Sequence, residues 1–221
     1  MKALPKPLAG VFFDLDGTLV DSARDMHDAL AALCGEQGLA VPPFDMVRET
    51  VSRGARAVLG CAVGDDPKRV DAALPRFLDL YVATGMVHTR AFEGLDQVLA
   101  DIEARGVRWG VVSNKAGALV ALVLARLGYQ DRVAAVVGGD TLAQRKPDPA
   151  PVLHACALAG VEPGRCVYVG DDPRDIVAGR AAGLYTIAAG WGYLDGADPR
   201  DWQPDAVTYD PGQLSLLLEQ A

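Results

Sequence analysis

The sequence predicts an α/β protein: a mostly parallel sheet with helices on both faces, interrupted by an all-helical insert. Three observations carry this. From residue 95 onward, short apolar runs rich in β-forming residues alternate with segments whose apolar positions recur at helical spacing. Each run stops abruptly at a polar or glycine-rich turn. Between the first run and that alternation, residues 21–90 show helical spacing only. Strands separated by helices pair as parallel neighbours, because a parallel connection needs a crossover. The expected arrangement is Rossmann-like.

The first run, Val11-Phe12-Phe13, ends in Asp14-Leu15-Asp16-Gly17, so two acids stand at the carboxyl end of a buried strand. Met26, Ala29, Leu30 and Leu33 then fall on one helical face, closed by Gly35 and Gly38. Pro42-Pro43 precedes a short helix over 45–51, Ser52-Arg53-Gly54-Ala55 is a turn, and a third helix passes through Val58 and Leu59. Pro67 opens a longer helix with Val70, Leu74, Phe77, Leu78 and Tyr81 on one face, and Pro75 is expected to kink or split it. The expected division is a core of residues 1–20 and 91–221, with residues 21–90 as a helical cap over Asp14 and Asp16. Beyond it, Leu95, Val98, Leu99 and Ile102 mark a helix, and 107–112 a strand that stops at Ser113-Asn114-Lys115. Leu119 to Leu127 is helical, and 133–137 is a strand ending in Gly138-Gly139-Asp140. Asp148-Pro149 pairs an N-cap with a first-turn proline for a helix through Leu158. A strand at 166–169 ends in Gly170-Asp171-Asp172, and two short strands follow at 186–189 and 206–209.

Polar residues fall where these strands end. Asp14 and Asp16, Ser113, and Asp171 and Asp172 each follow a separate apolar run, and parallel strands bring their carboxyl ends to one edge, where ligands bind. Two carboxylates as close as Asp14 and Asp16 repel unless a divalent cation or a shared proton intervenes. Oxygen-only ligation suits Mg²⁺. Ser113 supplies a hydroxyl for an anion, or else a plain helix cap. Lys146, in Gln144-Arg145-Lys146-Pro147-Asp148-Pro149, supplies the fixed cation that such a site needs. Helix capping accounts for Asp172 and Asp175 around Pro173 but leaves Asp171 unexplained. Arg53 and Arg56 flank Gly54-Ala55, and a turn with two arginines can bind a carboxylate on a leaving group. His27, His88 and His154 are isolated and carry no assigned role.

A net charge of -8, from 21 basic and 29 acidic residues, argues against a nucleic-acid partner. Cys34, Cys61, Cys156 and Cys166 are scattered without a Cys-x-x-Cys pair, so reduced thiols are expected rather than a zinc site. No stretch is apolar and long enough for a membrane, and residues 1–10 lack a signal-peptide core, so a cytoplasmic protein is expected.

Four segments, in order, resemble the motifs of the haloacid dehalogenase-like hydrolases, most of which are phosphatases. These are Asp14-Leu15-Asp16-Gly17-Thr18, the Ser113 strand end, Lys146-Pro147-Asp148-Pro149, and Gly170-Asp171-Asp172-Pro173-Arg174-Asp175. The resemblance runs from about residue 10 to residue 193. The helical insert after the first motif, and Gly138-Gly139-Asp140-Thr141-Leu142 before the third, look like the phosphoglycolate phosphatase group. Gly170 to Ile176 and the tail around Asp198-Pro199-Arg200-Asp201-Trp202 are similar to bacterial N-acetylmuramic acid 6-phosphate phosphatases.

The resemblance implies Asp14 as nucleophile and Asp16 as general acid and base. It implies that Ser113 hydrogen-bonds the phosphate and that Lys146 holds both the nucleophile and the phosphoryl oxygens. Mg²⁺ would be held by Asp14, Asp16 and Asp171, with Asp172 and Asp175 orienting its waters or Lys146. Backbone N–H groups at Leu15 and Asn114 complete the substrate contacts. The expected activity is hydrolysis of a small phosphorylated metabolite, 2-phosphoglycolate first and N-acetylmuramic acid 6-phosphate as the alternative. A phosphosugar mutase, a dehalogenase and a non-catalytic phospho-acceptor module are the competing classes. The last fits poorly, because receiver-like modules are small and lack a helical lid.

Overall fold

The structure is a computed structural model that describes residues 3–221. Six strands form one sheet: β1 (Gly10–Phe13), β4 (Arg108–Val112), β5 (Ala135–Val137), β6 (Cys166–Gly170), β7 (Tyr185–Ala189) and β8 (Ala206–Thr208). Their order is β5-β4-β1-β6-β7-β8, and every neighbouring pair is parallel. Chain order reverses at β1, which puts the ligand-binding crevice of an open α/β sheet at its carboxyl end.

Burial on both faces explains why the strands read as continuous apolar runs. Val11 and Phe13 of β1 join the core built with α5 (Leu95–Ala104), α6 (Gly117–Arg126) and α9 (Pro211–Leu218). Phe12, between them, packs on the other face with Val152, Ala155 and Ala178 of α7 (Ala150–Ala159) and α8 (Pro173–Ala181). Phe13 lies in register with Val111 on one side and Val169 on the other, so three strand ends arrive at the same level.

The insert leaves and re-enters through a feature the periodicity did not reveal. A two-stranded antiparallel ribbon pairs β2 (Val20–Asp21) with β3 (Arg90–Ala91). Strands of two residues have no periodicity to read. Between them lie α1 (Ala23–Gln37), α2 (Phe44–Thr50), a 3-10 turn at Val51–Arg53, α3 (Ala55–Val63) and α4 (Pro67–Ala83). Val70, Ala73, Phe77 and Tyr81 of α4 are buried, and α4 packs against α1 and α3.

Three expectations need correction. Helix α4 runs unsplit through Pro75. The proline is exposed, and the buried residues Val70, Ala73, Phe77 and Tyr81 on either side of it hold the helix on its neighbours. Ser113 does not open a helix: α6 begins at Gly117 after an N-cap at Ala116. Asp148 caps from one residue further out, accepting from Ala150 N at 2.8 Å, while Pro149 is the N-cap. All four cysteines are free, with Cys34, Cys156 and Cys166 buried. Among the described residues no helix is long and apolar enough to cross a membrane.

Candidate active site

Beyond Phe13 the chain turns tightly over Asp14–Val20, closed by Gly17 N donating to Val20 O at 2.9 Å and Val20 N to Leu15 O at 2.9 Å. Gly17 has φ +89°, and a Cβ there would lie 2.1 Å from Asp171 Oδ2. Glycine is therefore required twice, for the backbone and for the close approach of the fourth-strand acid. The turn delivers Asp14, 6 % exposed, to the floor of a cavity.

Lys146 is the counter-charge. Its Nζ is 2.8 Å from Asp14 Oδ1, 2.6 Å from Asp175 Oδ1 and 3.1 Å from the Tyr168 hydroxyl. Burial pulls the ammonium down, but the carboxylates of Asp14 and Asp175 more than offset this, and the net effect holds it charged. Its backbone is clasped by Asn114, whose amide donates to Lys146 O at 3.0 Å and accepts from Lys146 N at 3.1 Å. The Asn114 side chain thus positions Lys146, while the substrate contact expected of Asn114 is through its backbone N–H.

Asp171 is almost wholly enclosed. Its Oδ1 accepts from Thr18 Oγ1 at 2.7 Å, and its Oδ2 from Ser52 Oγ at 2.5 Å and Tyr193 N at 2.9 Å. Burial, and then the like charge of Asp14, push its carboxyl up to about 7 despite those donors. Burial also drives Asp175 well above the usual carboxylate range, with Lys146 opposing. Asp172 and Asp175 form the reciprocal capping box of α8, so capping and site geometry share the same two acids. Asp172 in addition grips Arg174.

Carboxylate oxygens of Asp14, Asp171 and Asp175 lie within 4.8 Å of one another. Asp14 Oδ1 is buried and, although close to Lys146 Nζ, makes no directed hydrogen bond. Three acids, one ammonium and an unsatisfied buried oxygen fit a divalent cation bound through oxygen.

Asp16 does not join this cluster through its carboxylate. The turn swings its side chain toward the insert, where both oxygens lie 3.0 Å from Lys115 Nζ and Oδ1 accepts from Ser22 Oγ at 2.5 Å. Its main-chain carbonyl instead faces the Asp171 side, 3.5 Å from Ser52 Oγ. Lys115 escaped the sequence reading, although it follows Ser113 at the same strand end that singled out Ser113. Its side chain is 6 % exposed and meets the Tyr81 hydroxyl at 3.1 Å. Burial lowers the Lys115 ammonium, but Asp16 and Tyr81 raise it further. Tyr81 and Tyr168 read as core residues, yet each brings its hydroxyl to a site lysine, and the Lys115 ammonium also lies over the Tyr81 ring at 4.5 Å from its centroid.

Ser113 is buried on the cavity wall, and its hydroxyl accepts from Lys115 N at 3.2 Å. The cavity, about 410 Å³, is floored by Asp14, Asp16, Ser113 and Lys146 and roofed by Leu74, Leu78 and Tyr81 of the insert. Arg53 and Arg56 also line it, but both are exposed and paired, with Asp195 at 2.7 Å and with Asp71 respectively.

The sequence profile described as haloacid dehalogenase-like hydrolase matches residues 11–189. A phosphoglycolate phosphatase of Xanthomonas campestris pv. campestris (strain 8004) is 46% identical over 206 residues, covering 92% of this chain and 93% of that one. An N-acetylmuramic acid 6-phosphate phosphatase of Pseudomonas aeruginosa PAO1 is 40% identical over 220 residues, covering 97% and 96%. Among solved structures, one described as a predicted phosphoglycolate phosphatase from Haemophilus somnus 129PT superimposes with a TM-score of 0.85 at 24% identity, covering 95% and 98%.

Proposed function

The chain belongs to the haloacid dehalogenase-like hydrolases, and on that premise we propose that it is a phosphomonoester hydrolase using Mg²⁺ and Asp14. One observation carries the reading: Asp14 lies beside Lys146 and the Asp171–Asp175 pair on the floor of a cavity that a second acid, Asp16, also lines.

In the first step an Asp14 oxygen bonds to phosphorus as the ester P–O bond breaks, giving an aspartyl-phosphate. Asp16 gives its proton to the departing alkoxide, which leaves poorly without one. In the second, Asp16 takes a proton from water as that water attacks the same phosphorus, releasing inorganic phosphate and restoring Asp14. Lys146, Ser113 and the backbone N–H groups at Leu15 and Asn114 hold the equatorial oxygens. Asp14, Asp171 and the Asp16 carbonyl are the groups that would hold the cation, which supplies the positive charge that lets an anionic ester approach a carboxylate. Asp175 fixes Lys146, and Asp172 fixes Arg174. Residues 21–90 act as a cap on a core of residues 1–20 and 91–221, a division supported by the β2–β3 ribbon at the junction. Arg53 and Arg56 read the leaving group from the cap. The enzyme is cytoplasmic and acts on a small metabolite rather than nucleic acid or membrane.

The foremost substrate is 2-phosphoglycolate, supported by the 46% identical relative. A second reading has its own support. A cavity of about 410 Å³ is more than a two-carbon ester fills, and Leu74, Leu78 and Leu119 give it an apolar wall. That favours a bulkier leaving group such as N-acetylmuramic acid 6-phosphate, the substrate named for the 40% identical relative. The test is phosphate release from both esters and from p-nitrophenyl phosphate, with and without Mg²⁺. Asp14→Asn should abolish turnover, a loss of several kcal/mol of barrier stabilisation. Normal turnover by that variant removes Asp14 as nucleophile, and interconversion of sugar phosphates without free phosphate makes the protein a mutase.

A further inference from the structure

One insert residue reaches into the acid cluster, and no step above uses it. Ser52 stands in the 3-10 turn Val51–Arg53 and donates its hydroxyl to Asp171 Oδ2 at 2.5 Å. The same oxygen atom of Ser52 is 3.5 Å from the Asp16 carbonyl. It therefore sits between two core oxygens, one of them on an acid of the cluster. A serine hydroxyl has one proton and faces two acceptors here, so it serves Asp171 Oδ2 at 2.5 Å and leaves the Asp16 carbonyl at 3.5 Å. The turn is held in that position by its backbone as well. Arg174, fixed by Asp172, donates to Ser52 O at 2.9 Å. Asp171 is tied to the ribbon too: Tyr193 N donates to Asp171 Oδ2, and the Tyr193 hydroxyl meets Asp21 at 2.6 Å and Ser22 N at 2.9 Å.

We propose that Ser52 is a latch: its hydroxyl and the divalent cation compete for Asp171 Oδ2 and the Asp16 carbonyl, so cation loading releases this turn of the insert. The inference rests on the reading of the acid cluster as a cation site. Competition for shared oxygens is a coupling between two equilibria, and it is reciprocal. Whatever the Ser52 contact contributes to holding the turn against the core, the cation must overcome on binding. A hydrogen bond to a charged carboxylate is worth enough to shift the cation's dissociation constant about ten-fold.

Titration calorimetry with Mg²⁺ on the full-length protein without substrate tests this. Ser52→Ala should bind Mg²⁺ about ten-fold more tightly than wild type, and Ser52→Thr, which keeps the hydroxyl, should bind as wild type does. Amide hydrogen exchange across residues 51–54 should speed up when Mg²⁺ is added to wild type and should not respond in Ser52→Ala. Equal or weaker Mg²⁺ binding by Ser52→Ala in a protein that does bind the ion overturns the latch alone, because the hydroxyl then ignores or assists the cation. Absence of Mg²⁺ binding in both proteins overturns the cation reading, and the latch falls with it.

Discussion

Lys146→Met isolates the charge balance beneath Asp14. Methionine keeps the length and the apolar stem of the lysine but removes the ammonium, which is 3 % exposed and within 2.8 Å of both Asp14 and Asp175. Breaking a buried ion pair by removing one partner costs about 3–5 kcal/mol, because the remaining charge has no compensation. For a chain of this size each kcal/mol moves the melting temperature by about 2–4 °C, so a fall of roughly 6–20 °C is expected. The sign with pH follows from the orphaned acids. Burial already raises Asp175 well above the ordinary carboxyl range, so protonation relieves the strain at low pH, and the loss should grow as pH rises. Melting of wild type and variant in EDTA, followed by circular dichroism from pH 5 to 8, measures both effects. Added Mg²⁺ should recover part of the loss. A shift of less than about 2 °C at pH 8 would refute the argument, since it would mean that Asp14 and Asp175 do not depend on this ammonium.

Three further outcomes are expected. With its carboxyl near 7 in the fold against an ordinary 3.8, Asp171 makes the native state bind an extra proton between those values. Stability of the cation-free protein should fall as pH rises through that window, while Mg²⁺ affinity should rise by up to about ten-fold per unit and level off above about pH 7. Calorimetric affinities that do not vary between pH 5 and 8 would contradict this. Lys115→Met leaves Asp16 without its partner ammonium and should lower kcat by about 100-fold with little change in KM. Tyr81→Phe, which removes only a hydroxyl from Lys115, should have a much smaller effect; unchanged kcat in both variants would take Lys115 out of the mechanism. Arg56→Ala should raise KM for an acidic phosphate ester far more than for p-nitrophenyl phosphate, and equal effects on the two would remove its part in reading the leaving group.

Much of this molecule is legible in one dimension. A strand buried on both faces has to be apolar throughout, so the first polar residues after each run mark its end, and parallel pairing gathers those ends at one edge. That logic singled out Asp14, Ser113 and Asp171. It could not say that Asp16 turns from Asp14 toward Ser22 and Lys115, because the direction depends on how the Gly17 turn packs on α1. Nor could it tell whether Asp175 caps a helix or holds Lys146, since the structure has it do both. Ser52, Tyr81 and Tyr168 read as turn or core because their partners lie far along the chain: 119 residues in the case of Ser52 and Asp171. Period and burial are local quantities that each segment carries with it. Which hydroxyl meets which carboxylate is decided only when the insert closes on the sheet, for that contact belongs to two surfaces and to neither segment alone.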